Sequence, residues 1–544
     1  MANRTSDIDA IILAEKDTWA TVIDSFVKTS LEVFSFPELT NDEKRKNVWN
    51  AVYNIAKHSD DPAVTKNCFI AVRILSREKE HLSEVISDDW INLIKHHSGL
   101  DNENFEYNDN KSLICVEVLK SLSNILFNSK KIAEKSLENG ILEGLTNRIK
   151  HKNKNISEDI RFMDIRLVFL ITALCPEARN KVYDMIDIFI KILEEILQEA
   201  AKNHMKHEDL PPIYLTPAQA EMVSEILKAL FNLTIRIDEA DVETVATCIQ
   251  LVKVLRSYLL ISSSDLEKTW ILRNDVINLL TNMPEEAYSE LLPPISESHQ
   301  IIKTLEFEGK NMTAIYEMTM FLKAKFNDQP DIYNQHEILS PIVTVLLKGA
   351  TTHRPIRKFL RNQILPPLKD VHTRPEEGDT LRNHLCRLLT TPVTQLRDLV
   401  ANFLFVLCKN NVARMIKYTG YGNAAGLFAT KGVLAGGRYK GEDDYDSESE
   451  DSETEEYADH KHGINPVIGC YEEPHPSASD NMSEEQKEYE AMKLVELLDS
   501  LMKCGTIKPC VVGKDGKPEP VTHVLQLQEG LKEGMLKFLN EDSD

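Results

Sequence analysis

The residues best placed to do chemistry are charged, and they fall into two groups. Arg354, Arg357, Lys358 and Arg361 stand at i, i+3, i+4 and i+7, so on a helix they form a basic stripe, with Ile356, Phe359 and Leu360 on the buried side. Such a stripe is either a solvated face or a receiver for carboxylate and phosphate groups. The second group runs from Glu442 to Asp459 and holds eleven carboxylates with no lysine or arginine. Within it Ser447 has Glu450 three residues on and Ser452 has Glu455, the spacing read by an acidophilic protein kinase of the casein-kinase-two type. Each phosphate would add about −1.5 to −2 charges and strong acceptors for arginine. Left unmodified, the same run is a solubilising segment. Once modified, it is expected to dock on a basic face of the same chain.

Three other constellations carry little chemistry. Gly420-x-Gly422-x-x-Ala425 matches a dinucleotide fingerprint in spelling, but that motif works only between a strand and a helix of a βαβ unit, and helical patterning precedes it here. GxxxxGK[ST] is absent, so the chain is no P-loop nucleotidase. His460, His462, Cys470 and His475 follow no standard zinc spacing and lie in a polar segment. The expectation is no catalytic residue, no metal and no cofactor.

These groups need elements to hold them, and composition says which. At 544 residues, with only 20 glycines and 22 prolines and 42% apolar residues, the chain exceeds one compact core. A helical solenoid, whose core lengthens without thickening, meets this composition. The net charge of −23 is uneven: residues 441–544 hold 27 acidic and 9 basic side chains, leaving the body near neutral. That balance argues against nucleic acid as a partner, because phosphate binding needs a basic footprint. Nine scattered cysteines without CxxC spacing read as free thiols, mostly buried, in a reducing compartment. The N-terminal residues lack a signal-peptide core, and Leu167–Cys175, the longest apolar run, is about half a membrane span. A soluble, cytoplasmic monomer is expected.

From residue 8 to about 415 nearly every segment has helical period, as in Leu113, Val116, Leu119, Leu122 and Leu126. Breaks fall at Ser98–Asp109, Ala201–Pro217 and Pro284–Gln300. An apolar-apolar-x-Asn pattern recurs at Asn124, Asn232, Asn282 and Asn402. Intervals of 50 and 120 residues approximate one and three armadillo-type repeats, whereas the 108 residues from Asn124 to Asn232 fit no multiple. Asn124 and Asn232 either satisfy neighbouring backbone groups or face a groove and pair with a bound peptide. Arg73 and Arg77, four apart on one face, pose the same alternative. The expected organisation is an armadillo/HEAT-like superhelix over 1–425, a Gly-rich then acidic linker over 426–481, and a tail over 482–544. In that tail Ser483-x-x-Gln486 is a capping box opening an amphipathic helix of about 483–503, with Leu494, Val495, Leu498 and Leu501 on its stripe. A weaker helix is expected at about 522–540.

The string Tyr418-Thr419-Gly420-Tyr421-Gly422-Asn423-Ala424-Ala425-Gly426, the acidic serine run and Ile464-Asn465-Pro466-Val467 occur in an order that resembles the synembryn family. Arg73-Ile74-Leu75-Ser76-Arg77 and Gln363-Ile364-Leu365-Pro366-Pro367-Leu368 extend the resemblance to nearly the whole chain; it is weakest at Val511–Pro520. That family comprises cytosolic exchange factors and folding chaperones for heterotrimeric G-protein α subunits (Gα), regulated by phosphorylation in the acidic segment. The resemblance implies non-covalent exchange on GDP-bound or nascent Gα, with recruitment to the cell cortex or plasma membrane through Gα. The groove, with Arg73, Arg77, Asn124 and Asn232 as contacts, would take the C-terminal helix of Gα, and the tail helix would engage its GTPase domain. A generic armadillo adaptor without exchange activity is the alternative. It would want an acidic groove with a tryptophan ladder, and the four tryptophans do not flank the repeat asparagines.

Overall fold

A computed structural model describes residues 7–102, 105–151, 156–204, 214–236, 241–263, 265–295, 305–327, 334–434, 436, 454–473, 482–513 and 515–521. The chain divides between Ala287 and Tyr288 into two compact units, each built of helices packed on helices. The fold is the all-α, armadillo/HEAT-like class that composition and period predict.

In the first unit five helices stack in chain order: Pro62–Leu75, Asp109–Asn128, Glu158–Leu174, Pro217–Leu233 and Leu266–Thr281. Asp42–His58, Asp88–Ser98, Ile141–Lys150, Met185–His204 and Val242–Leu259 pack against them in the same order. Each stacked helix starts where a short polar side chain takes an orphan amide: Asp61, Asn108, Ser157, Thr216 in a capping box with Gln219, and Asp265. Each such cap stabilises its helix by about 0.5–2 kcal/mol. Of the predicted stripe on Asp109–Asn128, Val116, Leu119, Leu122 and Leu126 are buried, whereas Leu113, near the helix start, is exposed. A buried ion pair unites two helices. Arg148 Nε lies 2.8 Å from Asp164 Oδ2 and its Nη2 2.5 Å from Oδ1, while Nη1 donates to the Ser98 carbonyl and the Tyr107 hydroxyl.

In the second unit Gln335–Thr352 packs on Arg354–Ile364 and Thr394–Leu407, and Val412–Thr419 and Tyr421–Lys431 extend this layer. The last of these helices runs past the boundary expected at residue 425. Gly420 and Gly432 bound it at its two ends. Residues 454–473, expected within a linker, are ordered. They form a short helix, Glu455–His460, and a hairpin pairing Ile464–Asn465 with Cys470–Tyr471. Beyond them lie the helix Glu484–Lys503 and a hairpin pairing Cys510–Val512 with Pro518–Pro520. All nine cysteines are free thiols, seven of them buried and Cys504 and Cys510 exposed. Among the described residues no helix is long and apolar enough to cross a membrane.

Candidate protein-interaction site

The repeat asparagines form a ladder between stacked helices. Asn124 Nδ2 donates to the Arg73 carbonyl (3.1 Å) and Ser76 Oγ (2.8 Å). Asn232 Nδ2 donates to the Phe169 carbonyl and Thr172 Oγ1, both at 3.1 Å. Asn282 Nδ2 donates to the Phe231 carbonyl (3.0 Å) and Thr234 Oγ1 (3.2 Å). Each rung thus reaches a carbonyl and a hydroxyl three residues apart near the end of the preceding helix. Glu158–Leu174 contains no asparagine, so Asn124 to Asn232 spans two steps of the stack, which accounts for the 108-residue interval. On that helix Arg166 Nε instead donates to Ser123 Oγ at 3.3 Å. The amide donors of Asn124 and Asn232 are therefore committed within the chain; Asn232 is 6% exposed and Asn124 half-buried.

The arginines on the same helices are also engaged. Arg73 Nη2 lies 3.2 Å from Glu117 Oε2, and Glu117 also pairs with Lys120. Arg77 Nη1 donates to the carbonyls of Leu31 (2.8 Å) and Val33 (2.7 Å), and its guanidinium stacks 4.8 Å from the ring of Phe34, which is 73% exposed. Further along, Glu225 accepts from Arg166 (3.2 Å) and Lys228 (3.3 Å), and Ser224 donates to Asp275. Burial pushes the Asp275 carboxyl up to about 6 against the pull of that hydroxyl. Sequence reasoning missed the pairings between helices because their partners are distant in sequence; only Glu117–Lys120 and Glu225–Lys228 are local, three residues apart.

The basic stripe splits. Arg357 is 9% exposed and its Nη1 donates to the Ala350 carbonyl at 2.9 Å, at the end of Gln335–Thr352. Arg361 is equally buried. Arg354 and Lys358 instead share one carboxylate, Glu308, at 3.5 and 3.0 Å. The cause is angular: residues four apart share one edge of a helical stripe, so 354 and 358 lie on one edge while 357 and 361 lie on the other, turned toward the packed helices. Glu308 holds a left-handed backbone (φ 49°) at the tip of the Glu306–Phe307/Lys310–Asn311 hairpin, whose Phe307 packs on Phe359. Nothing in its own neighbourhood of sequence marks Glu308 as the partner.

The glycine string makes a seam with the chain itself. Tyr421 N and Gly422 N, open donors at a helix start, bond to the carbonyls of Pro466 (2.8 Å) and Val467 (2.9 Å). A Cβ on Gly420 (φ 75°) would lie 3.1 Å from the Val467 oxygen, and one on Gly469 would lie 2.8 Å from Pro375 Cγ. Close backbone approach explains Gly420 and Gly422, and the approaching group is the Val467 carbonyl. Thr454 Oγ1 donates to the Leu368 carbonyl, Tyr471 N to the Val371 carbonyl (2.7 Å), and Lys417 Nζ sits 4.3 Å over the ring of Tyr457. The acidic run is thereby fastened just after its serines; Ser447 and Ser452 themselves, like His475 and the weaker helix about 522–540, lie outside the described residues. His460 packs edge-to-face on His372 and Tyr471, and Cys470 is buried.

The tail helix Glu484–Lys503 starts with the predicted box: Gln486 N donates to Ser483 Oγ and Ser483 N to Gln486 Oε1. None of its residues is buried. Leu494 and Val495 are exposed and Leu498 and Leu501 only partly covered, beside exposed Tyr489, Met492 and Leu497. Exposed apolar side chains in this number make the helix a candidate interaction surface.

The sequence profile of the family described as guanine nucleotide exchange factor synembryn, Ric8, matches residues 68–517. The chain is 34% identical to "Chaperone Ric-8" of Drosophila melanogaster over 98% of this chain and 99% of that protein. It is 38% identical to "Chaperone Ric-8A" of Xenopus laevis (92% and 93%) and 36% identical to that of Danio rerio (99% of each). Similarity at this identity, sustained from end to end over a helical-repeat fold with an exposed tail helix, means that the chain belongs to the synembryn family of guanine nucleotide exchange factors.

Proposed function

We propose that this protein is an exchange factor and folding chaperone for heterotrimeric G-protein α subunits. It binds GDP-bound or nascent Gα, releases GDP, and stabilises nucleotide-free Gα until GTP binds. It has no bond-breaking chemistry of its own. The observation that carries this reading, in a chain of this family, is the capped helix Glu484–Lys503 with its apolar face open. Burying Leu494, Val495, Leu498 and Leu501 on a partner would contribute on the order of 1.5–3 kcal/mol each before ordering costs.

The first anchor is the stacked-helix face of the first unit, and the tail-helix stripe is the second. Arg73 and Arg77 grip the Gα C-terminal helix at the first, with Asn124 and Asn232 at the floor. Drawing that helix away loosens the nucleotide pocket. Since the protein prefers nucleotide-free Gα, nucleotide must weaken its binding by the same factor, so GTP ejects it. The same preference for a loosened state holds folding intermediates. An acidophilic kinase modifies Ser447 and Ser452, and the modified run docks on the face carrying Arg354 and Lys358. The protein acts in the cytoplasm and reaches the cell cortex through Gα. A generic adaptor reading is weaker, since it would want a tryptophan ladder and the four tryptophans do not flank the repeat asparagines.

The test is size-exclusion of the protein mixed with GDP-loaded Gα in the absence of added nucleotide. A stable complex lacking GDP, dispersed by a GTP analogue, is expected. A complex that retains GDP, or none with any Gα class, contradicts the proposal.

A further inference from the structure

The exposed tail helix is tied down at its C-terminal end, and the tie lies where resemblance to the family is weakest. Helix Tyr421–Lys431 ends at Gly432, which holds a left-handed backbone (φ 70°). There the hairpin after the tail helix comes against it: Leu434 N donates to the Gly516 carbonyl at 3.2 Å. Two glycines make this approach possible. A Cβ on Gly432 would lie 2.9 Å from the Asp515 carbonyl oxygen and 3.4 Å from Lys517 Cγ. A Cβ on Gly516 (φ 72°) would collide with the Gly432 carbonyl oxygen. In both cases the obstacle is backbone, which cannot swing aside as a side chain can.

The connection from helix to hairpin is short and tied. The Leu501 carbonyl accepts from Thr506 N (3.0 Å) and Ile507 N (3.3 Å), folding the turn back on the helix end. Only Lys508 and Pro509 then precede the hairpin, and the Pro509 carbonyl accepts from the buried Val521 at 3.0 Å. Proline fixes its own φ, so little freedom is left between the helix and the docked strands.

We infer that the 509–521 hairpin, seated on Gly432 through Gly516, is a tether that positions the tail helix for its partner. The hairpin holds the apolar face near the second unit and raises the effective concentration of that second anchor. Undocking leaves the helix attached only from its N-terminal side, so the second contact forms from a wider set of positions; the loss is about tenfold in affinity rather than total. The inference rests on the Gα-binding reading above.

The experiment compares Gly516→Ala and Gly432→Ala with Gly436→Ala. Gly436 also has positive φ (90°) but has nothing within 4 Å of an added Cβ, so it controls for backbone strain alone. Hydrogen exchange at the Leu434 amide reports docking, that at the Val521 amide reports the hairpin itself, and titration with GDP-loaded Gα reports affinity. Expected is protection in the unsubstituted protein and in Gly436→Ala. Gly516→Ala and Gly432→Ala should lose protection at Leu434 and bind Gα about tenfold more weakly. Lost protection with unchanged affinity overturns the tether and leaves the proposed function standing, as does fast exchange of Leu434 in the unsubstituted protein. Failure of the unsubstituted, docked protein to bind any Gα overturns the proposed function instead.

Discussion

Asn232→Ala separates the two tasks its position allows. The side chain is 6% exposed and makes two hydrogen bonds of 3.1 Å, to the Phe169 carbonyl and Thr172 Oγ1. Both acceptors keep a second contact, since Thr172 Oγ1 itself donates to the Val168 and Phe169 carbonyls. Alanine therefore removes two bonds without fully orphaning a group, at a cost of about 2–3 kcal/mol. In a unit this large that lowers the melting temperature by roughly 4–10 °C. Asn232→Asp keeps the shape but faces two oxygens with a carboxylate, and is expected to cost more than alanine. Asn402→Ala is the control, because Asn402 is half-buried and its Nδ2 bonds only one turn back, to the Asp398 carbonyl; its change should stay within about 1 kcal/mol. The assay is thermal melting alongside titration with a peptide of the Gα C-terminal helix. An unchanged melting temperature together with a tenfold loss of peptide affinity would refute the structural account and make Asn232 a direct ligand contact.

Gly420→Ala places a Cβ 3.1 Å from the Val467 oxygen on a backbone of φ 75° and ψ 147°. It should cost about 1–3 kcal/mol and speed limited proteolysis within 454–473, whereas Gly426→Ala, with open space around it, should not. His97 packs between Phe69 and His96, and burial first, then the neighbouring His96, hold it down at about 4. Its folded value lies below its unfolded one, so stability is full above about pH 6.5 and drains as pH falls toward 4, by about 2 kcal/mol at pH 5. His97→Gln should flatten a melting-temperature profile between pH 7 and 5; an unchanged slope would show that other groups carry it. Alanine at both Ser447 and Ser452 should lower exchange activity and thermal stability together relative to the kinase-treated parent. Equal activity at full prior phosphorylation would sink that reading.

Fold class was legible because a solenoid repeats its physics: helical period, few glycines and polar caps recur along the chain. The tail helix was legible to within a residue for the same local reason, a capping box followed by a stripe. Less legible was anything made between repeats. Asn232 announces itself by pattern, but its acceptor Phe169 lies a helix away, so the sequence left open which way the amide turned. The basic stripe looked uniform, and only the packing of Gln335–Thr352 and of the Glu308 hairpin decides that Arg357 is buried while Arg354 and Lys358 pair with a carboxylate. The Gly420–Gly426 string stood out as punctuation, yet its partner carbonyls lie some forty residues on, across the acidic run.

The central claim, that this chain opens the nucleotide pocket of Gα, is tested most directly by uptake of a GTP analogue by purified GDP-loaded Gα. Kinase-treated and untreated protein would run side by side at low micromolar concentration with Leu494→Asp/Leu498→Asp, a variant that spoils the tail stripe while leaving the described core untouched. The account predicts faster uptake with the parent protein, faster still after kinase treatment, and a large loss in the variant. Uptake no faster than that of Gα alone with every preparation, across several Gα classes, would contradict it.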